Sequence, residues 1–210
     1  MQAKMILPRR SRLLAVLAMA LSAASFARAD LVISLTPVAA APGTVNNAFD
    51  VDLTNTGLTD VTIGAFSFGL LADPAVTFTG ATTFTGDPYI FAGDSLFGPD
   101  IATSAGATLI ASDLFDLIGS GAVVAAGASV GLGHVLFDVA STAAGGVITV
   151  SLSPADTSLA DPTAAAISID RLADGQISLP VSSVPEPSPT WLLALTLPFF
   201  AAVRRRHQRR

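Results

Sequence analysis

Cysteine is absent from the 210 residues, and tryptophan and tyrosine occur once each. Without a thiol the chain forms no disulfide, no thiolate metal site and no cysteine nucleophile. Any stability it has must come from an ordinary core. Trp191 lies near the C-terminus, so Tyr89 is the one tyrosine or tryptophan of the body. A flat aromatic platform for crystalline polysaccharide is therefore not expected, although a loop site around Tyr89, within Gly86-Asp87-Pro88-Tyr89-Ile90-Phe91, stays open. Glutamate is also scarce: of 16 acidic residues, only Glu186 is not Asp. Asp favours turns where Glu favours helices, which places the acids on loops and strand ends.

Positive charge is missing where the chain is longest. Of 11 Lys and Arg residues, five precede Asp30 and five follow Val203, so Arg171 is the one cation between them. The stretch from Asp30 to Glu186 carries −15, one arginine against sixteen carboxylates. Such a field repels phosphate backbones, which argues against nucleic acid as a partner, and it favours solubility.

The basic residues mark two terminal segments. Lys4, Arg9, Arg10 and Arg12 precede an apolar run over residues 13–24, and Ala27-Arg28-Ala29 follows the small-x-small rule for signal peptidase. Residues 1–29 are expected to be a signal peptide cut before Asp30; an uncleaved membrane anchor is the other reading. At the far end stand Val184, Pro185, Glu186, Pro187 and Ser188, then 14 uncharged residues, 190–203, then Arg204, Arg205, Arg206, His207, Gln208, Arg209 and Arg210. Each proline fixes its own φ and keeps its predecessor extended, so the hinge cannot be helical. A 14-residue helix reaches about 21 Å, short of the roughly 30 Å hydrocarbon core, and crosses only if flanking groups snorkel or the bilayer thins. Arginines stay on the cytoplasmic side, which leaves the hinge at the outer face. A buried core helix with a solvated basic end is the alternative.

The order of hinge, apolar helix and arginine cluster resembles the PEP-CTERM sorting signal of Gram-negative bacteria. The resemblance implies an exosortase-type transpeptidase that cuts near Pro185, Glu186 and Pro187. The body would then leave an inner-membrane-anchored precursor for the cell surface or biofilm matrix, as a substrate of that enzyme.

Residues 30–183 read as one domain built of strands. Leu31, Ile33 and Leu35 alternate with Val32, Ser34 and Thr36, and Phe49, Val51 and Leu53 with Asp50, Asp52 and Thr54. Alternation recurs from Val61 to Phe68 and around Val76, Phe137, Val150, Ile169 and Ile177, with Gly, Pro and Asp between the runs. Eight or nine short strands so spaced predict an all-β antiparallel sandwich. Val51, Leu53, Ile63, Phe68, Phe137, Val150 and Ile169 should face its interior. Ser112-Asp113-Leu114-Phe115-Asp116-Leu117-Ile118 departs from this, because its apolar spacing of three and four predicts one or two helical turns behind a Ser112 cap.

Pro42-Gly43 before Phe49-Asp50-Val51-Asp52-Leu53, Gly64 to Phe68 leading into Asp73-Pro74, and Val135 to Val139 before a later hairpin are similar to cohesin-like sandwiches, which often precede PEP-CTERM tails. The resemblance implies a jelly-roll interaction module for protein or exopolysaccharide, since cohesins of cellulosomes bind dockerins and related sandwiches bind polysaccharide.

Catalytic patterns are thin. Gly127-Ala128-Ser129-Val130-Gly131 matches G-x-S-x-G, but a hydrolase elbow needs a strand-to-helix turn and a downstream acid and histidine, whereas His134 is too close and His207 sits in the tail. A glycine-rich turn is expected instead. His134, the only body imidazole, is expected to be structural or solvent-facing, with no second histidine to share a metal. Among the aspartates, Asp50 and Asp52 share a strand face, and Asp156, Asp161, Asp170 and Asp174 are weak calcium candidates without an EF-hand loop. No cofactor is expected otherwise. The sequence reading is a non-catalytic exported module; the alternative is a polysaccharide-processing enzyme with no recognisable signature, whose carboxylate pair no spacing singles out.

Overall fold

The computed structural model describes residues 29–116 and 120–180. The signal segment with Ala27, the hinge at 184–188, the apolar run 190–203 and the arginines 204–206 lie outside the described residues. Fifteen strands carry the described chain: β1 (Leu31–Leu35), β2 (Val38–Ala39), β3 (Asn47–Asn55), β4 (Val61–Ile63), β5 (Ala65–Leu71), β6 (Val76–Thr82), β7 (Asp100–Ala105), β8 (Thr108–Leu114), β9 (Ala122–Val124), β10 (Ser129–Val139), β11 (Gly146–Leu152), β12 (Ser158–Ala160), β13 (Ala166–Ile167), β14 (Arg171–Ala173) and β15 (Gly175–Leu179). No helix occurs among the described residues, and none there is long and apolar enough to cross a membrane.

Two sheets enclose one core. The first runs β14-β1-β3-β10-β6. The second runs β13-β12-β5-β11-β15-β2, with β8 on the free edge of β5 and β7 outside β8. A short ladder, β4-β9, stands apart. Alternation along β1 and β3 puts Leu31, Ile33, Leu35, Phe49, Val51 and Leu53 inside and their neighbours outside, the period-two signature of a half-buried strand. Against them β5 sends in Phe66, Phe68 and Leu70. Phe49 meets Phe78 edge-on at 6.3 Å and Phe137 at 5.5 Å, so aromatic contacts join three strands of the first sheet beneath the second.

Six of the seven residues expected inside are buried. The seventh, Ile169, is only partly buried and lies in no strand, because the chain there leaves the short β13 for β14. The strand count exceeds the eight or nine expected since single hydrophobic runs are divided. Gly64 separates β4 from β5: its N–H donates to Ala160 O and its own carbonyl accepts from Phe115 N, so the ladder changes partner at that residue.

The helical turn expected over 112–118 is not formed in its described part. Ser112, Asp113 and Leu114 end β8, paired antiparallel with β5 from Leu71↔Thr108 to Ala65↔Leu114. Leu109, Ala111 and Asp113 are its inward positions. An aspartate on an inward site hides the alternation and leaves a false spacing of three and four.

Nor is the pairing wholly antiparallel. β1 lies parallel to β14, and β2 parallel to β15. The chain passes from the first sheet to the second at Pro37 after β1, and again at Asp174 between β14 and β15, so two switching segments run side by side.

Candidate functional site

The segment 83–99, between β6 and β7, joins the two sheets at one end of the sandwich. Its first part lies along β10, where Gly131 N donates to Pro88 O and Ile90 N donates to Gly131 O, both at 2.9 Å. Gly131 has no side chain for a reason: a Cβ there would overlap Thr85. The segment then turns inward, burying Tyr89, Ile90 and Phe91 against Phe66 and Phe115. Its last part, Ser95 to Gly98, caps the end of β8.

Asp113 is what holds the inward part. It is 1% exposed, and its carboxylate accepts from Tyr89 OH at 2.6 Å, Ser95 OH at 2.5 Å, Phe97 N at 3.2 Å and Leu114 N at 2.8 Å. A buried carboxylate with fewer donors would be costly; four make it a tether. Burial, and then the hydrogen bond to Asp113, push the Tyr89 hydroxyl above its ordinary range. Tyr89 is consequently a core residue, so the loop site considered around it offers no exposed tyrosine ring; the exposed ring beside it is that of Phe84.

The outer face of the first sheet is acidic. Asp50 and Asp52 do share a strand face. Asp50 Oδ1 accepts from the His134 ring at Nδ1, 2.6 Å away across the β3–β10 pair, and Oδ2 accepts from Gly86 N at 2.8 Å. His134 is thus a structural partner that helps to fix the start of the 83–99 segment. Asp52 accepts from Thr36 Oγ1 at 3.1 Å, while its Oδ1 is buried without a partner. Burial, opposed by the Thr36 hydrogen bond and aided by the charges of Asp50 and Asp87, raises its pKa to about 6.

The outer face of the second sheet is built differently. Its outward side chains are Ala65, Ser67 and Leu71 on β5, Thr108, Ile110, Ser112 and Leu114 on β8, Ser158 and Ala160 on β12, with Val147 and Thr149 on β11 and Gln176 and Ser178 on β15. None is charged. Asp156 crosses the middle of the face above Gly69, but its carboxylate accepts from Ser153 OH and its carbonyl from Ser67 OH. Leu71, Leu114 and Val147 are 47%, 44% and 61% exposed.

The four aspartates weighed as calcium ligands are dispersed, each pinning a different turn. Asp156 takes Ser153; Asp161 accepts from Thr163 N, Thr163 Oγ1 and Ala165 N; Asp170 accepts from Leu31 N; Asp174 accepts from Ser151 OH and Leu152 N. The Thr163 hydroxyl and the Ala165 amide hold Asp161 below the usual carboxylate range. Among the described residues no three His, Cys, Asp or Glu side chains converge in a metal-binding group. Ser129 of the G-x-S-x-G stretch opens β10 after a turn at Gly127, with φ +77°, and its hydroxyl shares a 2.7 Å hydrogen bond with Thr54. Ala29, the last residue of the expected signal segment, packs partly buried on the core.

Sequence reasoning missed the Asp113 tether and the uncharged face. The first had a signal, an aspartate in register with Leu109 and Ala111. The second had none, since serines and alanines on alternate positions read as ordinary solvated strand.

No family model matches the chain, and no curated protein matches it in sequence. Solved structures do share the fold. A cohesin of Clostridium acetobutylicum is similar at 16% identity and TM-score 0.55, covering 75% of this chain and 94% of its own. The sixth cohesin of scaffoldin B from Acetivibrio cellulolyticus, solved with a Cel5 dockerin, gives 16% identity and TM-score 0.53 over 72% and 99%. A non-cellulosomal cohesin of the archaeon Archaeoglobus fulgidus gives 14% and 0.52 over 74% and 94%. The described body has a cohesin-like β-sandwich fold.

Proposed function

We propose that the chain is a non-catalytic, exported interaction module that docks a protein partner on the outer face of its second sheet. The outward side chains of β5, β8 and β12 carry the reading. In a chain with fifteen aspartates and one arginine between Asp30 and Asp174 they are uncharged, carboxylates standing only beside them at Asp100 and Asp174 and over Gly69 at Asp156, and short side chains there let another backbone or helix approach closely. Support comes from structures of the same fold that were solved bound to dockerins. Exopolysaccharide is the other class of partner, less favoured because no outward strand position of this face is aromatic.

The ends supply the address in this reading. Signal peptidase cuts after Ala29, and Arg204, Arg205 and Arg206 then stop transfer, holding the hinge at the outer side of the inner membrane. An exosortase-type enzyme of a Gram-negative bacterium cuts near Pro185, Glu186 and Pro187 and passes the body to the cell surface or matrix. The sequence order of hinge, apolar run and arginines supports this, and replacing those three hinge residues by Ala should leave the precursor uncut in a host with the sorting protease.

For the docking face, the full-length chain is used to capture proteins and exopolysaccharide from the host's own surface fraction. Ser67→Arg and Ser112→Arg should abolish a protein capture that Thr54→Arg, on the opposite sheet, leaves intact. Equal capture by all three variants, or capture of polysaccharide alone, overturns the assignment.

A further inference from the structure

At one end of the uncharged face the packing leaves a groove of about 250 Å³. Its walls are Leu96, Leu114, Phe115, Ala65, Ala160 and Pro162. Four chain segments meet there without filling the space between them, because Leu96 N is bonded to Leu114 O, Phe115 N to Gly64 O and Gly64 N to Ala160 O. Those backbone groups are satisfied by one another. What the groove offers a visitor is therefore apolar wall rather than a strand edge, which suits an inserted side chain and not an added strand. Leu96 and Leu114, 45% and 44% exposed, stand at its mouth.

The rim has the opposite character. Asp116 and Asp161 both border the groove, and Asp94 adjoins Asp116, whose N–H donates to Asp94 O at 2.7 Å. Asp161 keeps its charge well below neutral pH because its turn supplies it with donors. Carboxylates around an apolar hole select against an acidic visitor and in favour of a cationic one. A second copy of this body would bring fifteen aspartates to a face that already repels them.

We infer that the groove between Leu96, Leu114 and Ala160 receives a large apolar side chain of the partner, presented on a basic segment whose Lys or Arg residues meet Asp94, Asp116 and Asp161. This rests on the docking face assigned above and adds the partner's chemistry: an apolar anchor, Leu or Phe, flanked by cations.

Two synthetic peptides test it, identical in their Leu and Phe positions, one with Lys and one with Glu at every polar position. Anisotropy titrations with the full-length chain should show the Lys peptide binding at least tenfold more tightly, with the difference shrinking as salt rises. Ala160→Phe fills the groove and should weaken the Lys peptide tenfold or more. Leu114→Gln, a neutral change at a half-exposed position that tolerates polarity, should do the same if the first variant folds poorly. Thr54→Arg is the control and should change little beyond its charge. Equal binding of the two peptides overturns the inference, as does a Lys peptide indifferent to both groove variants. So does Lys-peptide binding that appears only after residues 190–210 are deleted, which would make the chain's own basic tail the occupant. If a captured protein partner survives both groove variants but not Ser67→Arg, this inference falls and the docking face stands; if it survives Ser67→Arg, the docking face itself falls.

Discussion

The two outer faces of the sandwich obey the same rule of alternation and yet present opposite chemistry. On the first sheet the outward positions include Asp50, Asp52, His134 and Asp138: Asp50 is bonded to His134 and to Gly86 of the crossing segment, Asp52 to Thr36 and Asp138 to Asn46 N. On β5, β8 and β12 of the second they are Ser, Thr, Ala, Ile and Leu, Asp156 above them is turned to Ser153, and Asp100 and Asp174 stand to the sides. Each face also has a glycine beneath a covering segment, Gly131 under Thr85 and Gly69 under Asp156. The lesson is that burial pattern and surface chemistry are independent variables. The core decides which residues point out, and function decides what those residues are.

The contrast can be broken most severely from inside. Asp113→Ala removes the acceptor for two hydroxyls and an amide that hold the 83–99 segment to β8 of the second sheet. Loss of buried partners at about 1–3 kcal/mol each places the expected destabilisation at roughly 3–5 kcal/mol, read from the midpoint of urea unfolding. A cost below about 1 kcal/mol would mean that the tether is incidental.

Next come the two covered glycines. Gly131→Val and Gly69→Val should each cost about 1–3 kcal/mol through overpacking, measured by thermal unfolding. They sharpen the comparison because only Gly69→Val distorts the proposed docking face. Partner binding should fall for that variant and persist for Gly131→Val.

The binding contrast between Ser67→Arg and Thr54→Arg follows, expected at tenfold or more and measured by titration against the captured partner. A tenfold change corresponds to about 1.4 kcal/mol.

The smallest effect belongs to Asp52. Its folded pKa of about 6 exceeds its ordinary 3.8, so the folded state binds a proton more readily than the unfolded one. Stability gained from this carboxyl is complete below pH 3.8 and is lost as pH rises through 6. Because the group is half exposed, water screens the shift, and about 1 kcal/mol is the expected size rather than the roughly 3 that two undiscounted pKa units imply. Asp52→Asn should be more stable than the parent at pH 7 by about that amount, with the advantage vanishing near pH 4. An equal advantage at both values would place the cause elsewhere.

Legibility of the fold in the sequence followed chemistry closely. β1, β3, β11 and β15 were readable because their inward residues are aliphatic or aromatic and their neighbours polar. β8 was misread for want of one apolar residue, since Asp113 occupies an inward site. The start of β10 was invisible because Gly131 and Gly133 carry no side chain to alternate, and its register shifts between them. The site was harder still. Tyr89 and Asp113 are 24 positions apart and the groove draws on residues from Gly64 to Ala164, so no local pattern announces either.

The parallel pairing of β2 with β15 bears on mechanics. β15 is flanked by β11 and β2, and the described chain leaves it at Leu179. A pull applied beyond Leu179, along the strand and against a partner held on the second sheet, slides β15 past both neighbours instead of peeling it from one end. Its ladder bonds are then loaded together and must yield together, so the strand acts as a shear clamp. A module pulled from beyond Leu179 would transmit drag to its partner through a strand loaded in shear on both edges.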